Sequence, residues 1–199
     1  MTPQQYQQVQ DRLARRRTAT PVTGPVAPSL TRAHRVILGI DPSLRGTGYG
    51  ILRLEKTGAR LVTCGTVRCA AGWSRSRCLL AILQTLRDVL KQHPPQVCVI
   101  EALFYAQNLQ TALIMGEARG VALAVAAEAG LEIYEIAPRK VKQAIVGYGA
   151  AQKLAVAKMV QRMLSLTELP TPDAADALAL ALTHAQEQGR YSLTPPKRV

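Results

Sequence analysis

Apolar residues fall along this chain in two rhythms, and the switches between them mark out the elements. From Arg35 to Ile40 (RVILGI) the run is β-branched and apolar, as in a strand buried on both faces. Asp41-Pro42 closes it. Gly46-Thr-Gly-Tyr-Gly50 leads into Ile51-Leu-Arg-Leu54, and Arg60–Arg68 reads as a third strand, so the three make an antiparallel meander. Residues 74–92 change rhythm, with apolar positions at 79, 80, 82, 83, 86, 89 and 90, which is helical spacing. Gln96–Ile100 (QVCVI) returns to a buried strand with Glu101 at its C-terminal end. A long Ala/Leu-rich helix follows at about 107–129, where Gly116 and Gly120, one turn apart, permit a close helix contact. Leu131–Ile136 is a fifth strand after the Gly130 stop, and two helices at about 150–164 and 172–187 complete the pattern. The order predicts an α/β domain: a mixed five-stranded sheet flanked by helices in three layers.

Residues 1–34 differ from the rest, although Tyr6, Val9 and Leu13 fall at helical spacing that allows a short helix. Gln-rich sequence passes into Arg15-Arg16-Arg17 and then a Pro/Thr/Gly/Ser stretch, which reads as a flexible basic extension or as translation begun too early. The folded domain is expected at 35–187, with a C-terminal tail at 188–199. The 199 residues hold 25 Lys and Arg against 13 Asp and Glu, a formal charge of +12. Residues 36–185 alone keep 16 basic and 11 acidic groups, so the body is basic as well as the ends. Such an excess suits a polyanionic partner, because neutralising phosphates releases counterions. Cysteines 64, 69, 78 and 98 form no C-x-x-C pair and the three histidines are scattered, which argues against zinc. Free thiols, no signal peptide and no uninterrupted apolar run near about 20 residues lead to the expectation of a cytoplasmic protein.

Four acids stand where strand ends and a helix start should put them. Asp41 ends the first strand and Glu101 the fourth; Asp173 and Asp176, at i and i+3, share one face of the last helix. Thr171 as N-cap and Pro172 as first residue would set both in its opening turns. Helix-dipole stabilisation accounts for Asp173 alone. It does not account for Asp176, flanked by Ala174, Ala175, Ala177 and Leu178, where a carboxylate is costly unless compensated. Oxygen donors in this arrangement suit magnesium or manganese.

Five motifs in order carry a family resemblance: Gly39-Ile-Asp-Pro-Ser-Leu-Arg-Gly-Thr-Gly-Tyr-Gly50, Ile100-Glu101 with Phe104 and Asn108, Gly116-Glu-Ala-Arg-Gly120, Val141-Lys-Gln143, and Asp173-Ala-Ala-Asp-Ala-Leu-Ala179. Over roughly 35–185 the chain resembles the RuvC family of crossover (Holliday) junction endodeoxyribonucleases. The resemblance implies a ribonuclease-H-like fold acting as a homodimer on four-way junction DNA, with RuvA and RuvB as branch-migration partners. It implies paired symmetric nicks leaving 5′-phosphate and 3′-hydroxyl ends. Asp41, Glu101, Asp173 and Asp176 match the family's catalytic and metal-binding tetrad, with Asp41 the candidate ligand shared by two Mg2+ ions about 3.5–4 Å apart, for which Mn2+ can substitute. Ser43-Leu44 and Ala102 depart from the common pattern, which bears on sequence preference rather than on the acids.

Phe104, the one Phe, resembles an aromatic that stacks on opened bases, an interaction of about 1–3 kcal/mol; packing under a loop is the other reading, and Tyr105 could take the role. Arg139, Lys140 and Lys142 cluster after the fifth strand, and Gly147-Tyr-Gly149 opens toward a helix carrying Lys153 and Lys158. Lys142 and Lys153 match basic positions the family uses near the cut strand; the others read equally well as a solvated face. His184, eleven residues after Asp173 and so about 16 Å along the axis, is expected to be structural. Three other readings fit less well: an actin-type ATPase, for which a second lobe has no room, a non-catalytic DNA-binding relative, which should lack the acids, and a nuclease of structured RNA, against which the Phe104, Lys142 and Lys153 matches argue. Two symmetric nicks need two sites related by a twofold axis, and the 107–129 helix is the candidate interface.

Overall fold

The computed structural model describes residues 33–102, 109–188 and 197–199. These belong to a compact unit spanning Ala33–Val199. Expectations for residues 1–32 and for Phe104, Tyr105 and Asn108 lie outside the described residues.

Strands β1 (Val36–Asp41), β2 (Gly46–Glu55) and β3 (Gly58–Arg68) form the expected meander. Helix α1 (Arg75–Gln92) leads to β4 (Val97–Glu101), α2 (Leu109–Glu128) to β5 (Glu132–Ile136), and α3 (Pro138–Val146), α4 (Lys153–Met163) and α5 (Pro172–Glu187) follow. The sheet order is β3-β2-β1-β4-β5-β6, with β1, β4 and β5 parallel. Two elements correct the sequence reading. Helix α3 was not expected, because its nine residues bury only two apolar positions, Val141 and Ile145; Pro138 at the first helical position starts it. The sheet has six strands rather than five, because Lys197–Arg198 of the tail adds antiparallel to β5, too short a segment to show a period.

Alternation along the central strands decides which layer each side chain enters. Ile37, Val97 and Val99 pack against Leu178, Leu180 and the α3–α4 residues Val141, Ile145, Val156 and Val160. Leu38, Ile40, Cys98 and Ile100 pack on the other face with Ile82, Leu86, Ala118, Ala122 and Val125 from α1 and α2. By the same period of two, Asp41 and Glu101 belong to the α5 face. Helix α5 is buried from Ala174 almost continuously to His184, which explains why it is apolar all round.

The close seat of α5 is made by glycines. A Cβ on Gly39 would stand 1.9 Å from the Ala177 carbonyl oxygen, and one on Gly48 would stand 1.9 Å from that of Asp173. No other residue type fits either place. The expectation for Gly116 and Gly120 is not met within this unit: neither has anything within 4 Å of an added Cβ. Helix α2 holds an 18-residue stretch of mean hydropathy 1.2, 28% of it buried, so by length and composition alone it could cross a membrane, although Glu117 and Arg119 interrupt its apolar run.

Candidate active site

Asp41, Glu101, Asp173 and Asp176 line one pocket, together with Ser43, Lys142 and Lys153. Strand ends deliver the first two: Ile40 pairs with Ile100, and Asp41 and Glu101 are each one residue further on. Helix α5 delivers the others from its first two turns. Thr171 is its N-cap as expected, but the hydroxyl does not cap the helix; it hydrogen-bonds Thr66 Oγ1 of β3 at 2.8 Å and so ties the helix start to the sheet. Gly46 leaves room for the Asp173 carboxylate, whose Oδ2 would lie 2.9 Å from an added Cβ.

Four carboxylates in one partly buried place repel one another. Asp41 is pushed up to about 7, first by burial and then by Glu101, Asp176 and Asp173, with Lys153 opposing. Burial and Asp176 raise Glu101 too, against a hydrogen bond from Asp41 and the pull of Lys153 and Lys142. Lys153 Nζ donates to Asp176 Oδ2 at 3.0 Å, which raises the ammonium above its ordinary range. The donor set fits a hard divalent cation: all oxygen, formally excess in negative charge, and only partly exposed to water. Among the described residues no three His, Cys, Asp or Glu side chains are yet gathered around one point, and Lys153 holds Asp176. An ion would have to draw Asp176 from Lys153.

The basic residues separate. Lys142 and Lys153 line the pocket. Lys140 pairs instead with Glu187 at 2.7 Å, because Val141 and Ile145 bury one side of α3 and residues two apart on a helix face different ways. Arg139 and Lys158 are exposed and outside the pocket lining. His184 is buried at the far end of α5, its ring stacked on His34 with centroids 5.5 Å apart.

Sequence reasoning missed what holds the acids in place. Arg119, 6% exposed, donates to the Glu101 backbone carbonyl at 2.6 Å and forms an ion pair with Glu135. The Gly116–Gly120 motif contained it, yet one letter in a motif gives no direction. Thr47, fully buried, accepts from the Ser43 N–H at 3.2 Å and donates to the Ser43 carbonyl at 2.6 Å, fixing the turn that leaves Asp41. The alternate glycines 46, 48 and 50 were the available signal for the close seat of α5.

An antiparallel meander continued by parallel strands, with carboxylates at the central strand ends under a terminal helix, is the ribonuclease-H-like class of α/β domain. Residues 37–184 match the family model described as crossover junction endodeoxyribonuclease RuvC. A protein of that name from Akkermansia muciniphila is 46% identical over 148 residues, 74% of this chain and 89% of the relative. One from Pseudomonas putida is 45% identical over 160 residues, 80% and 90% of the two chains. The solved Thermus thermophilus RuvC in complex with Holliday junction substrate superposes with a TM-score of 0.72 at 32% identity, covering 83% of this chain and all of that one. The chain belongs to the RuvC family of crossover junction endodeoxyribonucleases.

Proposed function

We propose that the 35–187 domain resolves Holliday junctions by paired symmetric nicks that leave 5′-phosphate and 3′-hydroxyl ends. The observation that carries this is the meeting of Asp41, Glu101, Asp173 and Asp176 in one pocket beside Lys142 and Lys153. Those four carboxylates would hold the divalent metal on which the family depends, two Mg2+ ions or Mn2+ in their place, supplying a nucleophilic water and charge neutralisation at the cut phosphodiester. Asp41, with acids on several sides, is the ligand we assign to both ions. Lys142 and Lys153 would hold the phosphate of the cut strand, and Lys153 can leave Asp176 for that role. Phe104 and Tyr105 are assigned to stacking on bases at the crossover. Arg139, Lys140 and Lys158 are assigned supporting contacts with DNA, Lys140 only after release from Glu187.

Two coordinated nicks call for a homodimer. Helix α2 supports this: Leu109, Leu113 and Met115 are exposed, and Gly116 and Gly120 leave open space for a second helix to approach. Cooperation with RuvA and RuvB and a cytoplasmic location follow from this reading.

The test is a synthetic four-way junction with magnesium, beside an Asp41→Asn variant and a linear duplex. Paired nicks on the junction alone, absent in the variant, are expected. Equal cutting of the duplex, or nicks surviving in Asp41→Asn, would overturn the reading.

A further inference from the structure

From Lys56 to Arg87 the chain has no acidic residue and five arginines, 60, 68, 75, 77 and 87. Three of these, Arg68, Arg75 and Arg77, flank the link between β3 and α1 and are exposed. Arg45 fastens that link: its Nη1 donates to the Ala70 carbonyl at 2.6 Å and the Trp73 carbonyl at 3.2 Å, and contacts Cys78 Sγ at 3.3 Å. Trp73, the one tryptophan, packs its inner side against the buried Leu44, Cys69 and Cys78. The Arg77 guanidinium lies over its ring, 4.1 Å from the centroid. Arg75 pairs with Glu117 at 3.0 Å. Arg68 and Arg77 have no carboxylate within ion-pair distance among the described residues.

This arrangement is poorly explained by stability. Arg75 and Arg77 stand in the first turn of α1, where the peptide dipoles already concentrate positive charge, and no acid accompanies them there. A rigid, cation-rich surface with a flat aromatic under one guanidinium suits a polyanion, because stacking fixes the fork of N–H donors that matches a phosphate. Its position suits the substrate. Ser43 lines the carboxylate pocket two residues before Arg45, and Met115 lines it two residues before Glu117. Lys142 and Lys153 reach the same pocket from α3 and α4, on the opposite face of the sheet.

Resting on the reading of the protein as a DNA nuclease, we infer that Arg68, Trp73, Arg75 and Arg77 form a second phosphate-binding surface, gripping the DNA backbone across the carboxylates from Lys142 and Lys153. It reads charge rather than sequence.

The experiment compares binding of a fluorescent four-way junction and a linear duplex in the Asp41→Asn background, with Arg68→Gln/Arg77→Gln added, over a series of salt concentrations. We expect the double substitution to weaken junction binding about tenfold and to reduce the salt slope by about 2, one per lost contact. Arg68→Lys/Arg77→Lys should restore the salt slope, which counts charges, but only part of the affinity, because lysine lacks the guanidinium fork. Removing a cation from a helix start should leave the melting temperature equal or higher, which separates lost contact from lost fold. An unchanged affinity and slope on the junction would overturn this inference and leave the resolvase reading standing. Equal binding of junction and duplex, with the same loss in both, would uphold the surface and overturn junction selectivity. Binding of neither DNA by the parent would overturn both.

Discussion

The two ends of helix α5 are solved in opposite ways. At its start, Asp173 and Asp176 are brought against Asp41 and Glu101, like charges left facing one another with Asp41 pushed up to about 7. Near its other end, His184 Nε2 lies 3.3 Å from His34 Nδ1 and packs beside Tyr134, while Tyr134 donates to Glu132 at 2.9 Å and Arg198 pairs with Glu132 at 3.2 Å. There burial, and then His34, pushes His184 down to about 4, so the ring stays neutral in a cluster whose charges are mostly paired. One helix thus joins a place where mutual repulsion is kept to a place where charge is removed. Surplus negative charge concentrated at one end of an otherwise satisfied element is what a cation site requires; the quiet end supplies the rigidity.

The comparison can be broken most severely at the acidic end. Asp41→Asn or Asp176→Asn should lower junction cleavage about a thousandfold or more under single-turnover conditions, because charge neutralisation at the phosphodiester depends on them. Cleavage within tenfold of the parent would remove either acid from the site. Arg119→Ala should destabilise the fold by about 3 kcal/mol in urea unfolding, since it leaves the half-buried Glu135 only the exposed Lys197 as ion partner and frees the Glu101 carbonyl; Arg119→Ala with Glu135→Gln should recover part of that loss. Gly48→Ala is expected to cost about 1–3 kcal/mol and to weaken cleavage as well, because the new Cβ meets the Asp173 carbonyl and α5 must shift. Unchanged cleavage would mean that α5 tolerates displacement.

The pH responses are the most diagnostic, because the two ends respond with opposite signs. Asp41 in the folded, metal-free protein holds its proton up to about 7 while the unfolded chain releases it near 3.8, so stability falls as pH rises through that window. His184 takes its proton near 4 when folded and near 6.5 when unfolded, so stability falls as pH drops from 6.5 toward 4. Asp41→Asn should therefore leave a curve that declines mainly on acidification, and His184→Leu one that declines mainly toward neutrality. Thermal melts of metal-free protein at several pH values check this; two parallel curves would refute the assignment of either end.

The acidic end was legible in the sequence because its physics is local. A β-branched run that stops on Asp41, a second that stops on Glu101, and two acids at i and i+3 on an alanine helix are each visible within ten residues. The histidine end was hidden, since His34 and His184 meet only through folding across 150 positions. The same limit concealed Arg119, whose partners come from β4 and β5, and the direction of Lys140, which depends on which side of α3 the core takes. Helix α2 failed differently. Its apolar positions were read correctly, but a hydrophobic count does not say which of them the protomer itself covers.

The alternation of β1 and β4 also governs how this protein can change length. Asp41 and Glu101 face α5 because each lies an even number of residues from the Ile37–Val97 pair. Inserting or deleting one residue within either strand would turn its acid into the layer of α1 and α2 and present an apolar neighbour to the pocket. Two residues would restore the facing, though not the height along the strand. The site is thus protected by parity, and descendants of this chain should vary freely in loop length while these two strands gain or lose residues only in pairs.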